Sequence, residues 1–576
     1  MIASSDVERI LQISSGLFQA KHSWNLMCQE VCELTYPVRA SYTNHSDSYG
    51  QTAAGYVMDS TSINVREELG NAVDSMLRQG DWFELGTGDE NRDHQIDNMR
   101  SLQYATKLYR ALLRDRRSNW NPATKEADMD WVSVGQPVFS VTETTNRDFV
   151  RFNAWHPGNC AWILDADGKL CVMHRKFKMK AYVVQQMFRT GRWKGKMPDA
   201  IGIAAEKEPN RSFDFIHVMM PAEEIYGGSG KDMRRMGGKK YLSLYIDTEY
   251  KTLVDETPEP LFGYVAPAWR RLSGMSYGFS PAALNALPNI RMLQSMARVI
   301  LEQGEKAIDP PTIGSIDVFT RDINLYAGGF TFVDMPDGMS MKDVMTTVDT
   351  GKGIQQGLEL KQDIRALITD AFLLNKLFLP STRDMRELEV QVRTEEFRRA
   401  ALPFFAPIES EYHTALLEEG FARASLMGII PADIFPQALH GQDVHFTFNS
   451  PLNEAEGKAL VEAYNVATQV IAAGSQVDNT IANLFDMRTA TIDAVRGGGA
   501  PATWMISPKQ RKAKDQQADQ SKAMQQAAMI ANSGAQTMAN VSAAAQTAKA
   551  AGLFGGPAPQ PAPGAPAAQQ TLPVGG

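Results

Sequence analysis

The chain has 576 residues, 43% of them hydrophobic and 22% charged, the balance of a globular protein long enough for several domains. Its 58 Lys and Arg against 66 Asp and Glu leave a formal charge of −8, which excludes a wide phosphate-gripping surface, so any nucleic-acid contact is local or loose. Four cysteines without a dense framework fit buried thiols in a reducing compartment. With Asp6, Glu8 and Arg9 near the start and no run of about eighteen apolar residues, neither a signal peptide nor a membrane span is expected.

Residues 4–35 read as one helix, with Val7, Ile10, Leu11, Leu17, Phe18, Trp24, Met27, Val31 and Leu34 near one face and Tyr36-Pro37 as the stop. Cys28 and Cys32 lie one turn apart with His22 nearby. No second ligand pair follows, so buried thiols are the expectation. Ser41 to Gly55 is a polar loop, and helices are predicted over Val65–Leu77, Met99–Arg114 and Thr124–Val134.

The pattern then changes to short strands at Pro137–Thr142, Phe149–Trp155, Ala161–Leu164 and Leu170–Met173. His156, Cys160, Cys171 and His174 have the composition of a zinc quartet. Asp165-Ala166-Asp167-Gly168 reads as a hairpin turn pairing Leu164 with Cys171, however, which puts Cys160 about 13 Å away at about 3.3 Å per residue and turns His174 to the other face. Residues 225–232 fail as a phosphate loop, since Ile225 stands where the first Gly belongs and Asp232 where a hydroxyl must meet magnesium. A hairpin loop between strands Phe213–Met219 and Tyr241–Ile246 is the better account. No nucleophile elbow or metal-protease motif appears, and no cofactor is expected.

The stretch from Ala266 to Pro311 organises the chain. Gly274 and Gly278 flank Tyr277 in a turn, Ser280 supplies a hydroxyl N-cap, and Pro281 takes the first helical position, where a missing N–H costs nothing. Pro288 is expected to kink or restart the helix. Ile290, Leu293, Ala297, Ile300, Leu301, Gly304 and Ile308 then recur at helical spacing until Pro310-Pro311. A strand-and-loop segment, Thr312 to Thr350, separates this helix from a second one, about Gly353 to Asn375, with its own stripe of Ile354, Leu358, Ile364, Leu367, Ile368, Ala371 and Leu374. Two helices bracketing a small insert make a helical hairpin with a compact tip. After a break at Phe378–Arg383, a long helix kinked at Pro403 and Pro407 runs to about Met427. Helices follow over 454–473 and 476–496, an Ala/Gln/Lys-rich helix over 507–551, and a Pro/Gly-rich tail over 552–576 that is expected to be disordered.

The run from Trp269 through Gly274, Tyr277, Gly278, Ser280, Pro281 and Pro288 to Arg291 resembles the head-to-tail connector (portal) proteins of short-tailed, podovirus-type bacteriophages. Asp59-Ser60-Thr61, the block Trp82-Phe83-Glu84-Leu85 and Gly135 are similar to that family's upstream pattern. Met385, Glu389, Val390, Arg393, Glu395 and Glu396 are similar to a helix motif downstream, and Ser450-Pro451-Leu452 with Ala455 to a following turn. The resemblance covers about residues 59–512.

It implies an α+β, mainly helical protomer: a wing (1–280), first stem helix (281–308), clip (309–352), second stem helix (353–377), tunnel loop (378–386), long wing helix (387–428), crown (429–506) and barrel-type helix (507–551). It also implies a homo-oligomeric ring of about twelve copies at the portal vertex of the capsid. The ring would pass double-stranded DNA and meet the terminase large subunit, tail adaptor proteins, and the major capsid and scaffolding proteins. The protein would be made in the host cytoplasm, with no membrane, no metal and no catalytic role. Another structural ring of the virion, such as a tail adaptor, and an enzyme with a dispersed site are the alternatives. At the break between the second stem helix and the long helix, where the tunnel loop falls, Lys376, Arg383 and Arg386 either contact passing phosphates or pair with Asp384, Glu387 or Glu389 as a solvated helix start.

Overall fold

The computed structural model describes residues 4–43, 57–226, 238–308, 354–373, 403–436, 444–448, 451–475, 486–498 and 508–550, apart from single positions within them, together with strands 312–314 and 345–347. The chain forms two units, residues 1–502 and 503–576.

The amphipathic amino-terminal segment folds as α1 (Ser4–Ala20) and α2 (His22–Thr35), separated by the single residue Lys21 where one helix is predicted. The break is slight, since the Lys21 amide still bonds the Leu17 carbonyl and its own carbonyl accepts from Asn25. Helices α3 (Thr61–Leu77), α4 (Glu90–Asp93), α5 (Ile96–Arg114) and α6 (Trp120–Val134) follow, with strand β1 (Phe83–Gly86) between α3 and α4. They bury Val65, Leu69, Val73, Leu102, Tyr109, Ala127 and Trp131 in the main core.

Strands β2 (Val138–Glu143) and β3 (Val150–Trp155) pair antiparallel, and β9 (Tyr264–Val265) joins the other edge of β2. A five-stranded antiparallel meander is built from β4 (Cys160–Leu164), β5 (Leu170–Lys180), β6 (Ser212–Pro221), β7 (Tyr241–Asp247) and β8 (Thr252–Glu259). One face packs on α1 through Val7, Ile10, Ile216, Val218, Leu242, Leu244 and Ile246. The other packs on α7 (Ala181–Arg189) and α8 (Asp199–Lys207) through Val184, Trp193, Ile201, Phe213 and Phe215. The β4–β5 hairpin forms as expected but with a shifted register, because a bulge at Ile163/Leu164 pairs Leu164 with Leu170 instead of Cys171. The β6–β7 pairing bears out the hairpin reading. A short helix, α9 (Glu223–Tyr226), begins that connection, and residues 227–232 of the rejected phosphate loop lie outside the described residues.

Helix α10 (Pro281–Ile308) is continuous through Pro288, so of the kink or restart expected there the restart is not seen. The proline is on the exposed side, while Ala286, Leu287 and Ile290 are buried around it. Loss of one backbone bond is offset by that packing. Its partner α11 (Ile354–Ala371) ends short of the predicted Asn375, with Leu373 in a left-handed conformation (φ 62°). Between them, strands β10 (Thr312–Gly314) and β11 (Met345–Thr347) pair antiparallel across the base of the insert.

Beyond residue 402 a π-helical turn, Ile408–His413, leads into α12 (Thr414–Leu426), which closes at Gly428 with φ 72°. The two prolines thus precede a local change of helix geometry, as a missing donor predicts. Strand β12 (His445–Phe448) pairs with β1, and α13 (Pro451–Ser475) packs with α14 (Met487–Gly497). Among its described residues the second unit holds one α-helix, α15 (Pro508–Ala550), on which Met524, Met529, Ile530 and Val541 are exposed. The Pro/Gly-rich tail lies outside the described residues.

Asp59 fixes the hairpin to the body. Its carboxylate caps α3 through the Thr61 N–H at 3.0 Å and meets Lys361 at 2.9 Å and Arg365 at 2.7 Å on α11. Its backbone carbonyl accepts from Gln294 of α10 at 2.8 Å, and its N–H donates to the Gln294 side-chain oxygen at 3.0 Å. Burial alone would raise the Asp59 pKa, but the hydrogen bonds from Thr61, Lys361 and Arg365 outweigh it and hold the carboxyl well below the usual range. Asp59→Ala should therefore lower stability by about 2 kcal/mol, the scale of charged hydrogen bonds, and loosen the hairpin. Urea midpoints and protease sensitivity within residues 281–371 measure it, and an unchanged midpoint would contradict the clamp.

Candidate functional site at the base of the helical hairpin

Three segments distant in sequence meet where α10 begins. Gly135 ends α6 with φ 77°, and a Cβ there would lie 2.1 Å from the Phe279 carbonyl carbon and 2.3 Å from the Ser280 nitrogen, so only glycine fits. Its carbonyl accepts the Trp269 N–H at 2.8 Å. Gln136 then bridges the turn, donating to the Ala266 carbonyl at 2.9 Å and accepting the Gly278 N–H. Gly278 is equally crowded, with an added Cβ only 2.6 Å from that of Ala268. Ser280 caps the helix as predicted: its hydroxyl donates to the Val132 carbonyl at 2.6 Å and accepts the Ala283 N–H at 3.2 Å. Gly274 takes the positive φ of an open turn, beside an exposed Met275.

The aromatic residues fasten this junction on two sides. Trp269 stacks on Trp131 of α6 at 6.1 Å and meets Phe404 edge-on at 5.2 Å. Trp131 in turn touches Tyr412 of the π-helical turn at 5.5 Å, and the Tyr412 hydroxyl donates to Asp128 at 3.0 Å. Asp128 is paired with the buried Arg78, which offsets the cost of burying either charge. On the opposite side Tyr277 lies against Trp162 (4.5 Å) and Trp24 (5.3 Å). The indole N–H of Trp24 donates to the Gly278 carbonyl at 2.7 Å, and that of Trp162 to the Ser276 carbonyl at 3.0 Å.

Lys21 fills the space between these rings. It is fully buried, with its ammonium 4.5 Å from the Trp24 ring, 4.8 Å from Tyr277 and 5.0 Å from Trp162, and it donates to the carbonyls of Pro157 (2.5 Å) and Cys160. The ring faces and carbonyls solvate it in place of water. Burial nevertheless pulls its pKa from 10.5 down to about 7. Nothing in the local sequence marks this lysine, because every group that holds it comes from another segment or from its own buried helix turn.

The other expected site residues fall elsewhere. Among the described residues no group of three or more His, Cys, Asp or Glu is placed to hold a metal ion. Cys160 pairs in register with Arg175, and His174 stands opposite Ala161. The His156 ring accepts the Gly158 N–H at 3.0 Å. Cys28 and Cys32 are buried beside Tyr42 and Val134, and burial raises both thiols. No described helix is long and apolar enough to cross a membrane. Lys376, Arg383, Arg386, Glu389, Arg393 and Glu395 lie outside the described residues.

Gly135, Trp269, Tyr277, Gly278 and Ser280 thus form one close-packed junction at the start of α10. The family model of the bacteriophage head to tail connecting protein matches residues 7–506, and the chain belongs to that family. Connectors of this class are structural proteins of the virion, at the junction of capsid and tail. No curated protein matches the chain.

The low pKa of Lys21 makes the junction sensitive to pH in a stated direction. A lysine whose pKa is lower folded than unfolded leaves the unfolded state holding more protons between about pH 7 and 10.5, so its contribution to stability rises across that window by at most about 1.4 kcal/mol per pH unit. The melting temperature of the wild type relative to Lys21→Met should therefore climb from pH 7 to 9. A difference that stays flat or falls would contradict the assignment.

Proposed function

We propose that the chain is the portal of its virion: copies close into a ring at one capsid vertex, through which double-stranded DNA is packaged, retained and ejected. The observation that supports this reading is the bare outer half of the helical hairpin. Ala297 is the last buried residue of α10, and on α11 only Ile364 and Ile368 are buried. Beyond them Val299, Leu301, Ile308, Leu358 and Leu360 are 43–87% exposed. The outer turns touch one another, as where Ile300 sits 3.2 Å from the Cβ position of Gly357, yet much of their apolar surface faces outward.

A neighbouring copy is the occupant this reading assigns to that surface. Each such side chain buried between protomers stabilises the contact by about 1.5–3 kcal/mol before ordering costs. A head-to-tail contact repeated by rotation closes a ring, with about twelve copies the number the resemblance implies. In the same reading α10 and α11 are the stem, the insert closed by β10 and β11 is the clip, residues 1–280 form the wing, and α13 and α14 belong to the crown. The clip docks the terminase large subunit and later the tail adaptor proteins, while the wing meets the major capsid and scaffolding proteins. Lys376, Arg383 and Arg386 are the candidates for phosphate contact along the channel.

Light scattering and averaged electron micrographs test the ring. The expected result is closed rings of about twelve times the 63.6 kDa chain mass. A homogeneous 63.6 kDa monomer across micromolar concentrations would overturn the proposal.

A further inference from the structure

Residues 175–211 hold ten Lys and Arg against three Asp and Glu, in a chain whose overall charge is −8. The excess concentrates in the connection leaving α7, Arg189-Thr190-Gly191-Arg192-Trp193-Lys194-Gly195-Lys196, where all four cations are exposed and no acid occurs. Within the loop and around it the charges are partly answered: Arg192 acts on the buried Tyr245, Lys178 stands opposite Asp214 across the sheet, and Arg211 pairs with Glu249 at 3.8 Å.

The backbone of this loop is fixed. Trp193 is 3% exposed and packs on Phe215 and Tyr245, both at 5.5 Å. The amides of Gly191, Arg192 and Gly195 bond the carbonyls of Phe188, Met187 and Val254 at 3.0 Å, and the buried Asp255 accepts the Lys194 N–H at 3.0 Å. Gly195 passes so close to β8 that a Cβ would lie 2.4 Å from the Val254 carbonyl oxygen. With Trp193 turned inward and Gly195 against the sheet, Arg192, Lys194 and Lys196 alternate outward along the bent loop.

We propose that the Arg189–Lys196 loop is a second, sequence-independent contact for the phosphate backbone of duplex DNA, on the β-module and separate from any channel through the ring. An acidic protein segment is the less favoured partner. Protein contacts rely on aromatic or apolar anchors, and this loop commits its one aromatic residue, Trp193, to its own core. What it offers outward is charge alone, which suits counterion-releasing contact with phosphates and reads no bases.

The test uses the full-length assembled protein and covalently closed circular duplex DNA, which cannot thread a closed ring and so excludes the channel. Binding is measured from 50 to 200 mM salt for the wild type, the variant R189Q/R192Q/K194Q/K196Q and the milder K194Q/K196Q, with ring mass and melting temperature checked for each. Four phosphate contacts predict about a 100-fold loss of wild-type affinity across that range, with the log–log slope reduced by about 3.6 in the quadruple variant and about half that in the double. Wild-type binding with an unchanged slope in either folded variant would overturn the proposal. So would a wild type that ignores the circles but binds polyglutamate through these residues. Ring mass reports the portal reading separately, because a chain that fails to close a ring still presents the loop to the circle.

Discussion

No side chain fits between the end of α6 and the start of α10. The approach of the Gly135 Cα to the Phe279–Ser280 backbone sets where the hairpin leaves the body, and the surrounding contacts enforce that distance. Ser280 reaches back to Val132, Gln136 ties Ala266 to Gly278, and Trp269 and Tyr277 extend the contact to the π-helical turn on one side and to the Lys21 cage on the other. Close backbone packing of this kind has no graded alternative, since one added methyl group forces a shift of the whole segment.

From that origin the hairpin is held in two different ways. Its inner half belongs to the core of its own chain, through Ala286, Ile290, Leu293, Ile364 and Ile368, and is clamped by Asp59 to both helices. Its outer half has the same apolar periodicity with much less of its own chain to bury it. Periodicity reports which face avoids water and says nothing of which molecule covers that face, so one continuous stripe in the sequence divides in the structure at about Ala297.

Local chemistry made much of the fold legible in the sequence. Ser280-Pro281 announced the helix start because capping acts within a turn, and the strands followed from runs of β-branched and aromatic residues with turn signals between them. The misreadings have physical causes of the opposite kind. Pro288 does not restart its helix, because tertiary packing outweighs one missing donor, and a bulge moved the β4–β5 register by one residue. Lys21 gave no local signal, since two of its three ring partners and both carbonyl partners arrive from residues 157–277. Asp59 stood out only by family likeness; its cationic partners are 302 and 306 positions away. The cations Lys376, Arg383 and Arg386 rest on the sequence alone.

Hydrogen exchange across the hairpin, compared between assembled and dissociated protein, tests the central claim most directly: the inner half is held by its own chain and the outer half by a neighbour. The account predicts that amides of residues 281–297 and 361–371 keep their protection in both states, while those of 298–308 and 354–360 are protected only on assembly. Outer-half protection that does not change between the two states would contradict it.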